Sequence, residues 1–267
     1  MLSNLHTHTV FCDGKNTPEE IVLSAIDKGF ASLGFSGHAY TAFDLCYCMT
    51  DTAEYIRQIK ALKEKYKGKI QIYLGTEEDI FDEAKRDDYD YIIGSAHYVQ
   101  KNGKYFDVDG DYEVMLSCIR EFGGDKLAYA EEYYRTFCEY ILRRKPDIVG
   151  HFDLLTKFDE RNAPLFLGDK NYEKIAEKYL KEAIKSDCIF ELNSGAISRG
   201  YRSNPYPAEN LLYVLKKEDG KVMISSDSHE KDTLDFYFKE MKKMLLDVGF
   251  EYVYTLYDGI FIKDYLK

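Results

Sequence analysis

"SNLHTHTVFCDG", residues 3–14, places His6 and His8 one residue apart, with Asp13 shortly after. On an extended segment, side chains at i and i+2 point the same way, so this stretch aims two imidazole nitrogens at one point. "DSH" at 227–229 repeats the geometry near the other end of the chain with a carboxylate and an imidazole. Either pair is a chelate for a borderline metal ion.

Working outward, short apolar runs alternate with longer helical patterns. "TPEEIVLSAIDKG" reads as a helix with Thr17 as N-cap, Pro18 in the first turn, Glu20 completing a capping box and Gly29 ending it. "SLGFSGH", "KIQIYLG", "YDYIIGSAH", "DIVGH", "CIFELN" and "KVMISSD" read as strands, and "YVYTLYDG" as a terminal one. Between them helices are expected at about 51–67, 111–122, 126–144, 171–186, from Pro207 onward, and at 230–248. Strands alternating with helices imply parallel pairing, either in a barrel or in an open doubly wound sheet. The polar residues decide. His6, His8, His38, Glu77, His97, His151, Asp227 and His229 each fall at or just past the C-terminal end of an expected strand. In a parallel barrel those ends share one rim, where active sites are built. The expectation is therefore an α/β chain, a single domain over 1–267, folded as a distorted seven-stranded (β/α)7 barrel of TIM-like type.

Composition narrows the setting. The 267 residues are 45% hydrophobic, enough for a sizeable core. The six cysteines, Cys12, Cys46, Cys48, Cys118, Cys138 and Cys188, show no CxxC spacing, which argues against a disulfide framework or a thiolate zinc site. Neither a leader pattern nor a run of eighteen apolar residues is present, so a cytoplasmic protein without a membrane partner is expected. The net charge of −11 supplies no field for nucleic acid, and an anionic substrate must be attracted locally.

All six histidines of the chain lie at strand ends, and with Asp13, Glu77 and Asp227 they make nine hard or borderline ligands. That is too many for one tetrahedral ion and suits two or three. Their lack of thiolate favours zinc, iron(II) or manganese. "DVDGDYE" at 107–113 has aspartates spaced like a calcium loop, but Gly110 is misplaced and Cys118 stands where the twelfth-position glutamate belongs. Its acidic residues could instead meet a cationic end of a substrate. The tyrosines of "AYAEEYYRTFCEYILRR" at helical spacing read as packing.

Through "HTHTVFCDG", "GFSGHAY", "GTEED", "GSAHYV", "GHFDLLTKF", "ELNSGAISRGYRSNPYP" and "SSDSH" the chain resembles the PHP (polymerase and histidinol phosphatase) metal-dependent phosphoesterases over essentially its whole length. Its length and the "SRGYRSNPYP" segment are most similar to the members that hydrolyse L-histidinol phosphate in histidine biosynthesis. The resemblance implies a trinuclear site. His6, His8, Glu77 and Asp227 would hold one ion; Glu77, bridging, with His97 and His151 a second; Asp13, His38 and His229 a third. Glu78 and Asp79 also neighbour the bridge position, but Glu77 alone keeps the family's Gly-x-Glu register. Where some members have histidine this chain has Asp13, which keeps the ligand count, adds a charge and hardens the site.

Three carboxylates against three divalent ions leave a net positive cleft that suits a phosphate monoester dianion. The implied chemistry is in-line attack by a metal-bound hydroxide held by Glu77 and Asp227. Arg161, Arg199 and Arg202 are the candidate phosphate-gripping side chains. Another phosphate monoester, such as a nucleotide or a phosphotyrosine, is the alternative substrate, since metals and arginines read phosphate and not what it carries. A non-catalytic metal-binding domain would show gaps among the nine positions, and there are none. A nucleic-acid editing role lacks its basic track.

Overall fold

The computed structural model describes residues 1–266. Seven strands form one parallel sheet in chain order: β1 (Ser3–Asn4), β2 (Ser32–Phe35), β3 (Gln71–Asp79), β4 (Tyr91–Ser95), β7 (Ile148–Val149), β8 (Ile189–Asn193) and β9 (Lys221–Ser225). A single parallel bridge, Thr7 to Ser228, closes the sheet into a barrel; His8 N donates to the Ser228 carbonyl (2.8 Å) and Ser228 N to the His6 carbonyl (3.1 Å). The antiparallel hairpin β5 (Tyr98–Lys101) and β6 (Lys104–Asp107) follows β4.

Helices α1 (Pro18–Asp27), α2 (Thr52–Lys65), α3 (Tyr112–Glu121), α4 (Lys126–Arg144), α5 (Lys170–Ile184), α6 (Gly195–Ser198), α7 (Glu209–Lys217) and α8 (Phe238–Val248) connect the strands. The chain ends in the antiparallel hairpin β10 (Tyr252–Tyr257) and β11 (Ile260–Tyr265). None of the described helices is long and apolar enough to cross a membrane.

Local chemistry explains the elements. The Thr17 hydroxyl accepts from Glu20 N while Glu20 accepts from Thr17 N, so α1 starts with the expected reciprocal cap. In α4, Tyr129, Tyr133, Tyr134, Phe137 and Tyr140 are all buried, so the tyrosine stripe is packing. Inside the barrel, Leu5, Tyr73, Tyr91, Ile93, Ile148, Ile189 and Met223 make a separate core, capped by Leu256 of the terminal hairpin. Tyr91 occupies the space left by Gly34 and Gly75, where an added methyl would lie 2.3 Å from its hydroxyl and its ring respectively. This apolar plug fills one end of the barrel and leaves the polar end to the site.

Two readings of the sequence change. The helix expected at 230–248 begins only at Phe238: Tyr237 is left-handed (φ 65°), and residues 231–233 make a single 3₁₀ turn. Preceding residues are tied elsewhere, with the Ser228 hydroxyl donating to the Glu230 carbonyl (2.6 Å) and Asn4 Nδ2 to the Leu234 carbonyl (3.2 Å). The terminal strand pairs with β11 and stays outside the barrel sheet.

Candidate metal centre

The C-terminal ends of the strands open onto a cavity of about 360 Å³, whose wall includes Asp13, His38, Glu77, His97, His151, Asp227 and His229. His6 and His8, fully buried, stand behind these residues. Glu77 is central. Its Oε2 lies 3.0 Å from His38 Nδ1, 3.2 Å from His6 Nε2 and 3.5 Å from His8 Nε2. Its Oε1 lies 3.0 Å from His151 Nε2 and 3.3 Å from His97 Nε2, and accepts from Ser95 Oγ at 2.6 Å. Asp227 Oδ1 is 3.2 Å from His8 Nε2 and 3.6 Å from His6 Nε2. Asp13 meets His229 Nε2 at 3.0 Å and His8 Nδ1 at 3.5 Å. All nine expected ligands thus come together.

Three overlapping sets have ligand atoms within 4.8 Å of one another: His8, Asp13, His38 and His229; His6, His8 and Glu77; and His38, Glu77 and His97. His8 and His38 each belong to two sets, whereas the family pattern gave each to one ion. The cluster fits metal ions on a direct observation: His6 Nε2, His8 Nε2 and Glu77 Oε2 are buried, face one another and have no hydrogen-bond partner. Buried polar atoms without partners are costly, and a cation among them would satisfy all three.

The electrostatics agree. Burial opposes charge on His6, yet Glu191, Glu77 and Asp227 outweigh it and raise its pKa well above the usual range. The surrounding carboxylates thus favour a positive charge here, which a bound cation would supply in place of the second proton. Burial likewise opposes the Glu77 carboxylate, and His6, His38 and His97 hold it well below its ordinary value. His8 is pushed down to about 3 by burial and by His229 and His38, which leaves it neutral with a free lone pair, as a ligand must be.

The arginines divide. Arg199 lines the cavity, with Nη2 3.0 Å from Asp227 Oδ2 and Nη1 2.9 Å from His229 Nδ1. Arg161 is exposed and does not itself line the cavity; its guanidinium lies 4.8 Å from the ring centroid of the wall residue Tyr201. Arg202 does not reach the cavity, contrary to expectation. It is buried, donates to Thr156 Oγ1 (2.7 Å), lies 3.7 Å from Asp153 and covers the Tyr206 ring, so its charge is already committed.

Sequence reasoning missed four contributors. Lys157 lines the cavity and holds Asp109 (3.0 Å). Tyr47 and Tyr98 form part of the same wall, beside Asp44, Asp107 and Asp109. Glu191 is fully buried on β8 and accepts from His6 Nδ1 at 2.8 Å. A carboxylate in the middle of the buried strand "IFELN" was the available signal.

Known proteins agree with this architecture. A histidinol-phosphatase of Bacillus subtilis is 25% identical over 259 residues, covering 88% of this chain and 96% of its own length. One of Lactococcus lactis is 24% identical over 264 residues, covering 94% and 92%. The crystal structure of a Lactococcus lactis histidinol phosphate phosphatase complexed with zinc, L-histidinol and phosphate superposes with a TM-score of 0.70, at 18% identity, over 98% of this chain and 99% of that one. The family model of the PHP domain matches residues 4–195, a span that carries seven of the nine clustered residues and every barrel strand but the last, and the chain belongs to that family.

Proposed function

We propose that this protein is a metal-dependent phosphatase that hydrolyses L-histidinol phosphate to L-histidinol and phosphate. The observation that carries the reading is the gathering of six histidines, three carboxylates and Arg199 in and directly behind the wall of one cavity, in a chain whose relatives across nearly its full length are named histidinol-phosphatase.

Two to three zinc, iron(II) or manganese ions would be held by His6, His8, Glu77 and Asp227, by Glu77, His97 and His151, and by Asp13, His38 and His229. Bound there, the ions would polarise phosphoryl oxygens and make water acidic enough to deprotonate near neutrality. Arg199 lines the cavity with its guanidinium beside Asp227 and would bring a fixed positive charge and its remaining donors to the phosphoryl oxygens. Arg161, stacked on Tyr201, would close over the same group from outside. Asp107 and Asp109 belong to the wall that begins one residue after His97, where Tyr98 pairs with Asp107, and they suit the cationic end of an amino alcohol. Lys157 anchors Asp109 there.

The test is turnover of L-histidinol phosphate, an aryl phosphate and a nucleoside monophosphate by protein whose metal content is measured by elemental analysis. Histidinol phosphate should lead in kcat/KM by about a hundredfold or more, the scale on which a site with two placed polar groups discriminates. Parity with the aryl ester would remove the substrate assignment, and no turnover of any ester by metal-loaded protein would remove the hydrolase. Arg199→Ala should lower kcat/KM at least about tenfold, the worth of one charge-assisted hydrogen bond.

A further inference from the structure

Glu191 makes four hydrogen bonds inside the barrel. Its Oε2 accepts from His6 Nδ1 (2.8 Å) and Ser225 Oγ (2.7 Å); its Oε1 accepts from His151 N (2.8 Å) and Asn193 Nδ2 (2.8 Å). No part of the carboxylate is exposed. With both oxygens engaged it has nothing left for an ion, unlike Glu77, whose Oε2 has no hydrogen-bond partner.

The placement does two things. A proton on His6 Nδ1, drawn there by the carboxylate, leaves the Nε2 lone pair facing Glu77 Oε2 at 3.2 Å. The second oxygen pins the backbone at His151, whose Nε2 lies 3.0 Å from the other oxygen of Glu77. One buried carboxylate therefore sets the bearing of two imidazoles that approach Glu77 from its two oxygens.

We propose that Glu191 is a positioning residue for the metal centre: it fixes the tautomer and orientation of His6 and the backbone at His151, and so sets how tightly the cluster holds its ions. This rests on the reading that the cluster binds metal.

Glu191→Gln keeps the shape but turns an amide NH2 toward one pair of donors, whichever way the amide lies. Equilibrium dialysis against graded chelator, with zinc read by elemental analysis, should show retention weakened by about 10- to 100-fold. Ser225→Ala removes one donor to the same oxygen without touching His6 and should stay within about threefold of the wild type, since His6 Nδ1 keeps its own bond to that oxygen. A measurement needing no variant is the nitrogen-15 spectrum of the zinc-loaded wild type, in which His6 should carry its proton on Nδ1. Wild-type retention by Glu191→Gln, an equal fall in Ser225→Ala, or a proton on His6 Nε2 would each overturn the inference. Failure of the wild type to take up zinc would instead overturn the metal-centre reading.

Discussion

Adding one methyl group at Gly195 should disable the site without altering any side chain that forms it. Gly195 opens the short helix α6, and a Cβ built there lies 2.5 Å from Asp227 Oδ2 and 2.9 Å from Arg199 Nη2. Ordinary contact begins at 3.4 Å, so the carboxylate must retreat by about 0.9 Å. Asp227 has little room to move. Its backbone is left-handed (φ 48°), and Oδ1 faces His8 Nε2 at 3.2 Å. A displacement near 1 Å at reacting groups costs about a hundredfold in rate, and overpacking of this kind about 1–3 kcal/mol in stability. Helix propensity works the other way, favouring Ala over Gly by about 1 kcal/mol, so loss of α6 itself cannot account for a defect. Gly195→Ala is to be assayed for histidinol-phosphate turnover, zinc content and urea midpoint. A fall of about a hundredfold in kcat with the fold intact is expected. Turnover within about twofold of the wild type at full zinc content would refute the packing argument, because Asp227 would then have moved freely.

Three further outcomes are expected. Arg202→Ala should lose about 3–5 kcal/mol in urea denaturation, because it leaves the buried Asp153 carboxylate without its cation; a change below about 1 kcal/mol would show that the pair is dispensable. Cys12, whose thiol is pushed up to about 12 by burial and by Asp13, should resist iodoacetamide near pH 8, while the exposed Cys46 is alkylated readily; peptide mass mapping reads both. Asp107 is raised above its ordinary 3.8 by burial and by the neighbouring Asp109. In the window between 3.8 and the raised value, folded chelator-treated protein retains a proton that the unfolded chain has released, so stability falls as pH rises and the penalty is full above the window. Asp107→Asn should flatten that slope in urea midpoints, and an unchanged slope would exclude Asp107 as its source.

How much the amino-acid sequence reveals depends on whether a residue's role is local. The Thr17–Glu20 cap lies within four residues and was legible, as was the gathering of the nine candidate ligands, because strand-end position and side-chain type together determine where they meet. Arg202 was not. It lies three residues beyond Arg199, yet a loop guanidinium turns toward whichever anion the fold supplies, here Asp153, 49 residues earlier. The late start of α8 was hidden for a similar reason: residues 230–237 lie in the stretch read as helical but are tied to distant elements, including the Leu234 carbonyl accepting from Asn4 Nδ2 at 3.2 Å. The β5–β6 hairpin went unread although its signal is local. Asn102 and Gly103 both have positive φ, 50° and 74°, as an Asn-Gly hairpin turn requires, and "QKNGKY" displays that pair openly.

The single bridge from Thr7 to Ser228 orders events during synthesis. His6, His8 and Asp13 leave the ribosome first, but their counterparts Asp227 and His229 emerge more than two hundred residues later. Until then a nascent chain can stack six strands and still lack both its seam and two of the nine clustered residues. A product truncated before residue 227 would be a sheet with an open edge and a cluster missing Asp227 and His229.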